Sequence, residues 1–439
     1  MRKVVKFGGS SLADAEQFAK SGDIVRADKE RRYVVPSAPG KRTQKDEKVT
    51  DLLYACYALA ERGEEFRREL KEIRTRYEEI IEGLGLLLSL ESEFKKIAEN
   101  FQNKAGADYA ASRGEYLNGI VMAEYLKYEF VDAAEVVFFR EDGSFDAEKT
   151  NRVLGERLEK TDRAVIPGFY GSLPDGRIKT FSRGGSDVTG SIVARAVKAD
   201  VYENWTDVSG FMIADPHIVD EPESISTITY KELRELAYMG ASVLHEDAIF
   251  PVRREGIPIN IRNTNAPDDE GTWIVESTGQ KSKYTITGIA GKKGFCAVNI
   301  EKDMMNSEIG FGRRVLQAFE DNGISFEHMP SGIDTMTIVV HQDEFLHKEQ
   351  KVVGTIHRLA NPDSVDIETD IALIAVVGRG MKYQRGTSGR IFSALSHAAV
   401  NVKMIDQGSS ELNIIIGVRN EDFETAIRAI YSIFVDTML

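Results

Sequence analysis

Short apolar runs alternate with amphipathic stretches along the first 280 residues. Arg2-Lys3-Val4-Val5-Lys6-Phe7 is a β-prone run that stops at Gly8-Gly9-Ser10-Ser11, and a helix is expected from about Leu12 with hydroxyl caps behind it. Tyr33-Val34-Val35 reads as a second strand ending at Pro36-Ser37-Ala38-Pro39-Gly40, and Thr50-Asp51-Leu52-Leu53 opens another helix. Residues 61–104, rich in Glu, Lys, Arg and Leu with few breakers, predict one or two long helices with a solvated face. Further strands are expected at 135–139, 164–169 and 201–205, and a helix opening at 180–187 and running to about Val197. Strand alternating with helix predicts a largely parallel sheet. The polar, turn-rich residues 263–271 and the stretch 277–283, low in large apolar side chains, put the main domain boundary near residue 280.

Beyond that boundary the chain repeats itself. Gly310, Arg314, Ala318 and Gly332 recur 76 positions later as Gly386, Arg390, Ala394 and Gly408, and Val315, Phe319 and Ile324 as Ile391, Leu395 and Val400. A period this long means a duplicated domain rather than a solenoid. Each copy reads strand, helix, strand, strand, helix; in the second these fall at 371–377, 389–398, 400–406, 412–418 and from about Glu421. Such an order predicts a small antiparallel sheet with two helices on one face.

Composition narrows the function. At about 150 residues per domain, 439 residues suggest roughly three domains. The net charge of −14 repels a phosphate backbone, so nucleic acid is not an expected partner. Cys56 and Cys296 stand far apart without a CxxC pair, which excludes a disulfide framework or cysteine-rich zinc site and fits a reducing cytoplasm. No apolar run approaches the ~20 residues of a membrane span, and the start does not resemble a signal peptide.

Three turns carry candidate chemistry. In Lys6-Phe7-Gly8-Gly9-Ser10-Ser11 the paired glycines let backbone N–H groups approach an anion, a following helix adds positive potential and the lysine a full charge. The same turn would equally serve as a structural strand end. Arg183-Gly184-Gly185-Ser186-Asp187 repeats the design with an arginine fork and a carboxylate. Trp205-Thr206-Asp207-Val208-Ser209-Gly210 ends a strand, where doubly wound sheets bind ligands, although Asp207 by itself equally fits an Asx-turn or cap. Gly40-Lys41 is no P-loop, because Val35 stands where that pattern needs its first glycine, and neither GxGxxG after a predicted strand nor HExxH occurs.

These three motifs and Gly240-Ala241-Ser242-Val243-Leu244-His245, in this order and spacing, resemble the aspartate kinase family. The duplicated tail, with Asp406-Gln407-Gly408-Ser409-Ser410-Glu411-Leu412-Asn413, is similar to that family's pair of ACT regulatory domains, so the resemblance spans essentially the whole chain. It implies an amino-acid kinase-like α/β/α sandwich with a mostly parallel sheet over residues 1–280. Two ferredoxin-like βαββαβ ACT domains would follow over 284–362 and 363–439, able to exchange a strand, with no fused homoserine dehydrogenase domain. The implied reaction moves the γ-phosphoryl of ATP, with Mg2+ arriving on the nucleotide rather than on protein ligands, to the side-chain carboxylate of L-aspartate. A carboxylate with a pKa of about 3.9 is already an ionised nucleophile, so the chemistry needs charge screening and in-line positioning rather than a strong base.

Residue by residue, the resemblance places Lys6 on the transferring phosphoryl with Gly8, Gly9 and Ser10 as donors around it, and Asp187 as the carboxylate that orients Lys6 and the phosphates, an N-cap being its alternative. Arg183 clamps a substrate carboxylate beside Gly184, Gly185 and Ser186, and Ser37, Thr50 and Glu115 complete the substrate contacts, Glu115 receiving the α-ammonium. From the residues alone Thr50 reads as a helix cap and Glu115 as a surface helix residue. Thr206, Asp207, Met212, His217 and Ser242 match nucleotide contacts, with His217 where arginine is expected and Ser242 where many relatives carry lysine. Met304, Ser307, Phe326, Glu327 and Ser331 match an effector pocket between first ACT domains paired across a homodimer, which a homotetramer would contain twice. L-Lysine, or L-threonine, is the implied inhibitor, with Glu327 taking its ammonium group. Leu316 and Phe319 read as core. The rival enzymes, glutamate 5-kinase and acetylglutamate kinase, lack the paired tail; a rival of another class is a non-catalytic amino-acid sensor.

Overall fold

The computed structural model describes residues 1–437 except Arg183, Ser242, Val243, 245–248, 280 and 281. The chain forms two compact units. One comprises Met1–Phe211, Ser224–Tyr230 and Val243–Thr278, and the other Met212–Glu223, Lys231–Ser242 and Gly279–Leu439, so two segments from before residue 280 cluster with the tail.

The strands of the first unit are β1 (Lys3–Phe7), β2 (Arg31–Pro36), β3 (Glu129–Phe130), β4 (Ala164–Val165), β5 (Tyr170–Ser172), β6 (Ile178–Thr180), β7 (Val201–Thr206), β8 (Thr227–Thr229), β9 (Ile259–Asn263) and β10 (Thr272–Val275). Eight of them make one sheet in the order β3-β4-β2-β1-β7-β9-β10-β8, while β5 and β6 form a separate antiparallel pair. Every neighbour in the large sheet is parallel except β9 and β10. Central parallel strands are covered on both faces, which is why β1 reads as an apolar run: Val4, Val5 and Phe7 are wholly buried. A second part of the core lies among the helices Val49–Glu61, Arg67–Gly83, Glu91–Gln102 and Ala107–Leu126.

Local chemistry shifted several expected elements. The helix expected from Leu12 is a single 3-10 turn, Ser10–Leu12, and the α-helix starts at Ala15, where the Asp14 carboxylate accepts the Gln17 amide at 2.9 Å. The run 135–139 is not a strand. Asp132 accepts the Ala134 amide and caps a helical turn, Ala133–Val136, leaving Phe138 and Phe139 with isolated bridges. Capping here outweighs the β-preference of Val-Val-Phe-Phe. Of 164–169 only β4 is extended. The stretch 61–104 gives two helices, Arg67–Gly83 and Glu91–Gln102.

The second unit holds β11 (Gly288–Glu301), β12 (Phe326–His328), β13 (Thr335–His341), β14 (Ser364–Val377), β15 (Met404–Asp406) and β16 (Asn413–Arg419) in one antiparallel sheet, ordered β12-β13-β11-β14-β16-β15. The 76-residue repeat is written into its backbone. Gly310 and Gly386 both take left-handed angles (φ +81° and +86°) before the helices Phe311–Glu320 and Thr387–His397. Gly294 and Asp370, again 76 apart, bend the two long strands with φ +92° and +59°. Those strands run side by side, Gly288–Lys292 against Leu373–Val377 and Ala297–Glu301 against Ser364–Glu368, so each borders both halves of the sheet. No described helix is long and apolar enough to cross a membrane.

Candidate active site

The centre of the first unit's site is the end of β1. Lys6 is a charge set among buried apolar residues, itself 7 % exposed, and its Nζ lies 2.6 Å from Asp187 Oδ1. Asn204 completes a triangle: its Oδ1 lies 3.4 Å from Lys6 Nζ, and its Nδ2 donates to Asp187 Oδ1 at 2.8 Å. The parallel register makes this possible, because Lys6 on β1 stands directly opposite Asn204 on β7. Asp187 comes from the first turn of helix Gly185–Ala196, whose preceding Gly184 is left-handed (φ +56°). The N-cap alternative for Asp187 therefore does not describe it: Gly184 is the cap residue, and Asp187 lies inside the helix near its positive end.

After Phe7 the chain turns through Gly8-Gly9-Ser10. The Gly8 amide donates to the Trp205 carbonyl at 2.9 Å, whereas the Gly9 and Ser10 amides stand at the head of the 3-10 turn, where no earlier residue of the turn can accept them. Gly9 is packed tightly. A Cβ there would sit 3.0 Å from the Ala38 carbonyl oxygen, and one on Gly40 would sit 2.5 Å from Gly9 C. The Gly40 amide donates to the Gly9 carbonyl at 2.8 Å, so the turn is laid backbone against backbone on the loop that follows β2.

That loop also meets Glu115. Gly114 clears the approach, since a Cβ there would lie 2.7 Å from Ala38 Cβ. Glu115 is 5 % exposed, contrary to its expected place on a helix surface, and its Oε2 is buried with no hydrogen-bond partner. Burial pushes its carboxyl up to about 8, only partly offset by the Ala38 amide and the positive charges of Arg113 and Lys6. Its neighbour Arg113 faces the rings of Tyr109, Tyr116 and Tyr170 instead. Ser37, half-buried, donates its amide to the Phe7 carbonyl at 3.1 Å, and its own carbonyl accepts from Asn118. Thr50 is the second residue of helix Val49–Glu61 and makes no side-chain cap; Lys48 holds the cap position. The Val49 amide reaches the Pro39 carbonyl, tying the start of that helix to the same loop.

Lys6, Gly8 and Asp187 thus stand side by side, Gly9 packs on the loop whose Ala38 amide meets Glu115, and Gly185 and Ser186 open the helix that carries Asp187. Thr206, whose hydroxyl donates to Asp207 Oδ1 at 3.1 Å, lies at the end of β7 with Asp207 exposed. Met212 and His217 belong to the second unit, His217 exposed with its amide on Asp215. Arg183 and Ser242 lie outside the described residues. In the tail Met304, Ser307, Phe326 and Ser331 are exposed, but Glu327 is already engaged: Tyr238 Oη donates to its Oε2 at 2.5 Å and His341 Nε2 lies 3.3 Å from Oε1. Asn204 and Gly40 escaped the sequence reading. A buried polar pair, Glu203-Asn204, inside a strand-like run was the available signal for the first.

A lysine aligned by a carboxylate, beside free turn amides at the carboxyl ends of parallel strands, marks a phosphotransferase acting on a small molecule. The model of the amino acid kinase family matches residues 1–263, an ACT domain model matches 374–434, and aspartokinase 3 of Bacillus subtilis (strain 168) is 42 % identical over 98 % of each chain. The chain belongs to the amino acid kinase family and, within it, to the ATP-dependent aspartokinases. Clostridium acetobutylicum aspartate kinase, 53 % identical, matches with a TM-score of 0.90 over 98 % of this chain and 99 % of that one. E. coli aspartokinase III, 25 % identical, matches with a TM-score of 0.74 over 99 % of each chain in its complex with aspartate and ADP; its complex with lysine and aspartate gives 0.72 over 98 % of this chain and 99 % of that one.

Proposed function

We propose that the chain transfers the γ-phosphoryl group of MgATP to the side-chain carboxylate of L-aspartate, giving 4-phospho-L-aspartate and ADP. The observation that carries this reading is the pairing of a positioned cation, Lys6, with a buried carboxylate, Glu115, that has one oxygen still unpartnered. The first suits a phosphoryl group and the second an amino acid's ammonium. Two anions must meet, so Lys6 offsets the charge developing on the phosphoryl oxygens while the Gly9 and Ser10 amides donate to them. Asp187, with Asn204, keeps the Lys6 ammonium aimed at that point. Magnesium, carried in on the nucleotide, supplies further countercharge. Arg183, Gly184, Gly185, Ser186, Ser37 and Thr50 hold the amino acid, and Thr206, Asp207, Met212, His217 and Ser242 the nucleotide, roles that rest on the family motifs.

The same reading assigns catalysis to residues 1–280 and regulation to ACT domains over 284–362 and 363–439, with lysine as inhibitor at Met304, Ser307, Phe326, Glu327 and Ser331. The lysine complex of the E. coli relative supports it. A dimer formed through the first ACT copies would cover Met304, Ile309 and Ile333, which are 68 %, 96 % and 69 % exposed. Cys56 and Cys296 are buried free thiols pushed up to about 12 by burial, which suits a reducing cytoplasm. Trapping the acyl phosphate with hydroxylamine tests the reaction: aspartyl hydroxamate with aspartate and ATP is expected. Product from glutamate alone would make it another amino-acid kinase, and no product from either would make it a sensor.

A further inference from the structure

One buried cation of the first unit has no part in the roles above. Arg76, on helix Arg67–Gly83, is 4 % exposed. Its Nη1 donates to the Glu47 carbonyl at 2.8 Å, and its Nη2 donates to the Gly40 carbonyl and lies 3.2 Å from Asp46 Oδ2. Asp46 is in turn held by Arg42, whose hydrogen bond keeps that carboxyl well below the usual range. Burying a guanidinium is costly, and here its donors converge on both ends of one loop, residues 40–48.

The consequence reaches the glycine turn through Gly40, whose carbonyl and amide lie in adjacent peptide planes joined at one Cα. Arg76 holds the Gly40 carbonyl, and the Gly40 amide at 2.8 Å, together with the Leu12 amide at 3.1 Å, holds the Gly9 carbonyl. The Gly9 carbonyl and the Ser10 amide belong to one trans peptide, so holding the oxygen on one side aims the N–H to the other. The next residue on the same helix acts likewise: Tyr77 Oη donates to the Gly114 carbonyl at 2.7 Å, immediately before Glu115. We propose that Arg76 is a positioning residue that holds the 40–48 loop against Gly9 and thereby points the Ser10 amide at the transferring phosphoryl group. This rests on reading Gly8-Gly9-Ser10 as the phosphate turn.

The test is steady-state kinetics of the full chain carrying Arg76→Lys, which keeps the charge but loses the planar fork that spans the Glu47 and Gly40 carbonyls, and Gly40→Ala, which forces the same joint from the other side. For each, kcat falls between ~10-fold and ~10²-fold and the KM for ATP rises, while the KM for aspartate changes less than about twofold and the melting temperature stays within a few degrees. In the double variant the losses do not multiply, because both strike one joint. Unchanged kcat and ATP KM in Arg76→Lys, or equal losses for both substrates that track a lowered melting temperature, would overturn the proposal. Lys6→Ala separates the two levels: if it is inactive while Arg76→Lys is normal, only the role of Arg76 falls, and if it is active, the reading of the turn falls first.

Discussion

Glu203 and Glu115 are both buried carboxylates of the first unit, 2 % and 5 % exposed, and they live opposite lives. Glu203, on β7, accepts from Arg31 Nε at 2.8 Å and Trp205 Nε1 at 2.9 Å and pairs with Lys3 Nζ at 3.2 Å. Glu115 keeps one oxygen without a partner and a carboxyl pushed up to about 8. A saturated buried carboxylate has its energy invested in the fold, whereas an unsaturated one is costly until something arrives to complete it. The difference separates a carboxylate that ties strands together from one on helix Ala107–Leu126 that is left with a free oxygen.

The contrast breaks or sharpens under substitution. Glu203→Ala removes the carboxylate partner of buried Arg31, while Lys3 keeps Asp28 at 2.8 Å, and is expected to cost about 3–5 kcal/mol in urea unfolding; a loss near zero would mean that saturation is no sign of a structural role. Lys6→Ala should leave a folded chain whose turnover drops at least ~10²-fold, close to 3 kcal/mol of transition-state stabilisation, and near-normal turnover would remove the site's central cation. Glu115→Gln should raise the KM for aspartate ~10-fold or more with little change for ATP.

Its stability carries a pH signature as well. With a native value near 8 against about 4.3 in the unfolded chain, Glu115 binds more protons folded than unfolded between those values. Its contribution is therefore most favourable at low pH and is lost as pH rises through 8. Glu115→Gln should match the wild type at pH 5 and exceed it by a few kcal/mol at pH 8.5 in the absence of substrate. The smallest effect lies in the second unit. Tyr238→Phe frees Glu327 of a competing donor, so on the proposal that lysine inhibits at Glu327, inhibition should tighten about fivefold, the worth of one hydrogen bond. Weaker inhibition would mean instead that the Tyr238 contact belongs to the inhibited state.

What could be read from the sequence follows from how local the cause is. Lys6 stood out as a charge within an apolar strand before Gly-Gly, and the duplication was legible because the same left-handed corners demand small residues at the same interval, as at Gly310 and Gly386. Glu115 was named only through the family resemblance, and its burial was not legible from the residues themselves, because Ser112-Arg113-Gly114-Glu115 looks like a polar helix face. Its burial comes from distant elements, the 38–40 loop among them, closing over helix Ala107–Leu126 on several sides. The run 135–139 misled because one capping carboxylate, Asp132, decided its conformation.

The claim that Glu115 waits for the substrate's ammonium group is met most directly by calorimetric titration of aspartate at pH 7, in two buffers of different ionisation enthalpy. A carboxyl near 8 is mostly protonated there and must ionise to pair with a cation, so nearly one proton should be released per aspartate bound, and none from Glu115→Gln. Binding of aspartate to the wild type without proton release would contradict the account.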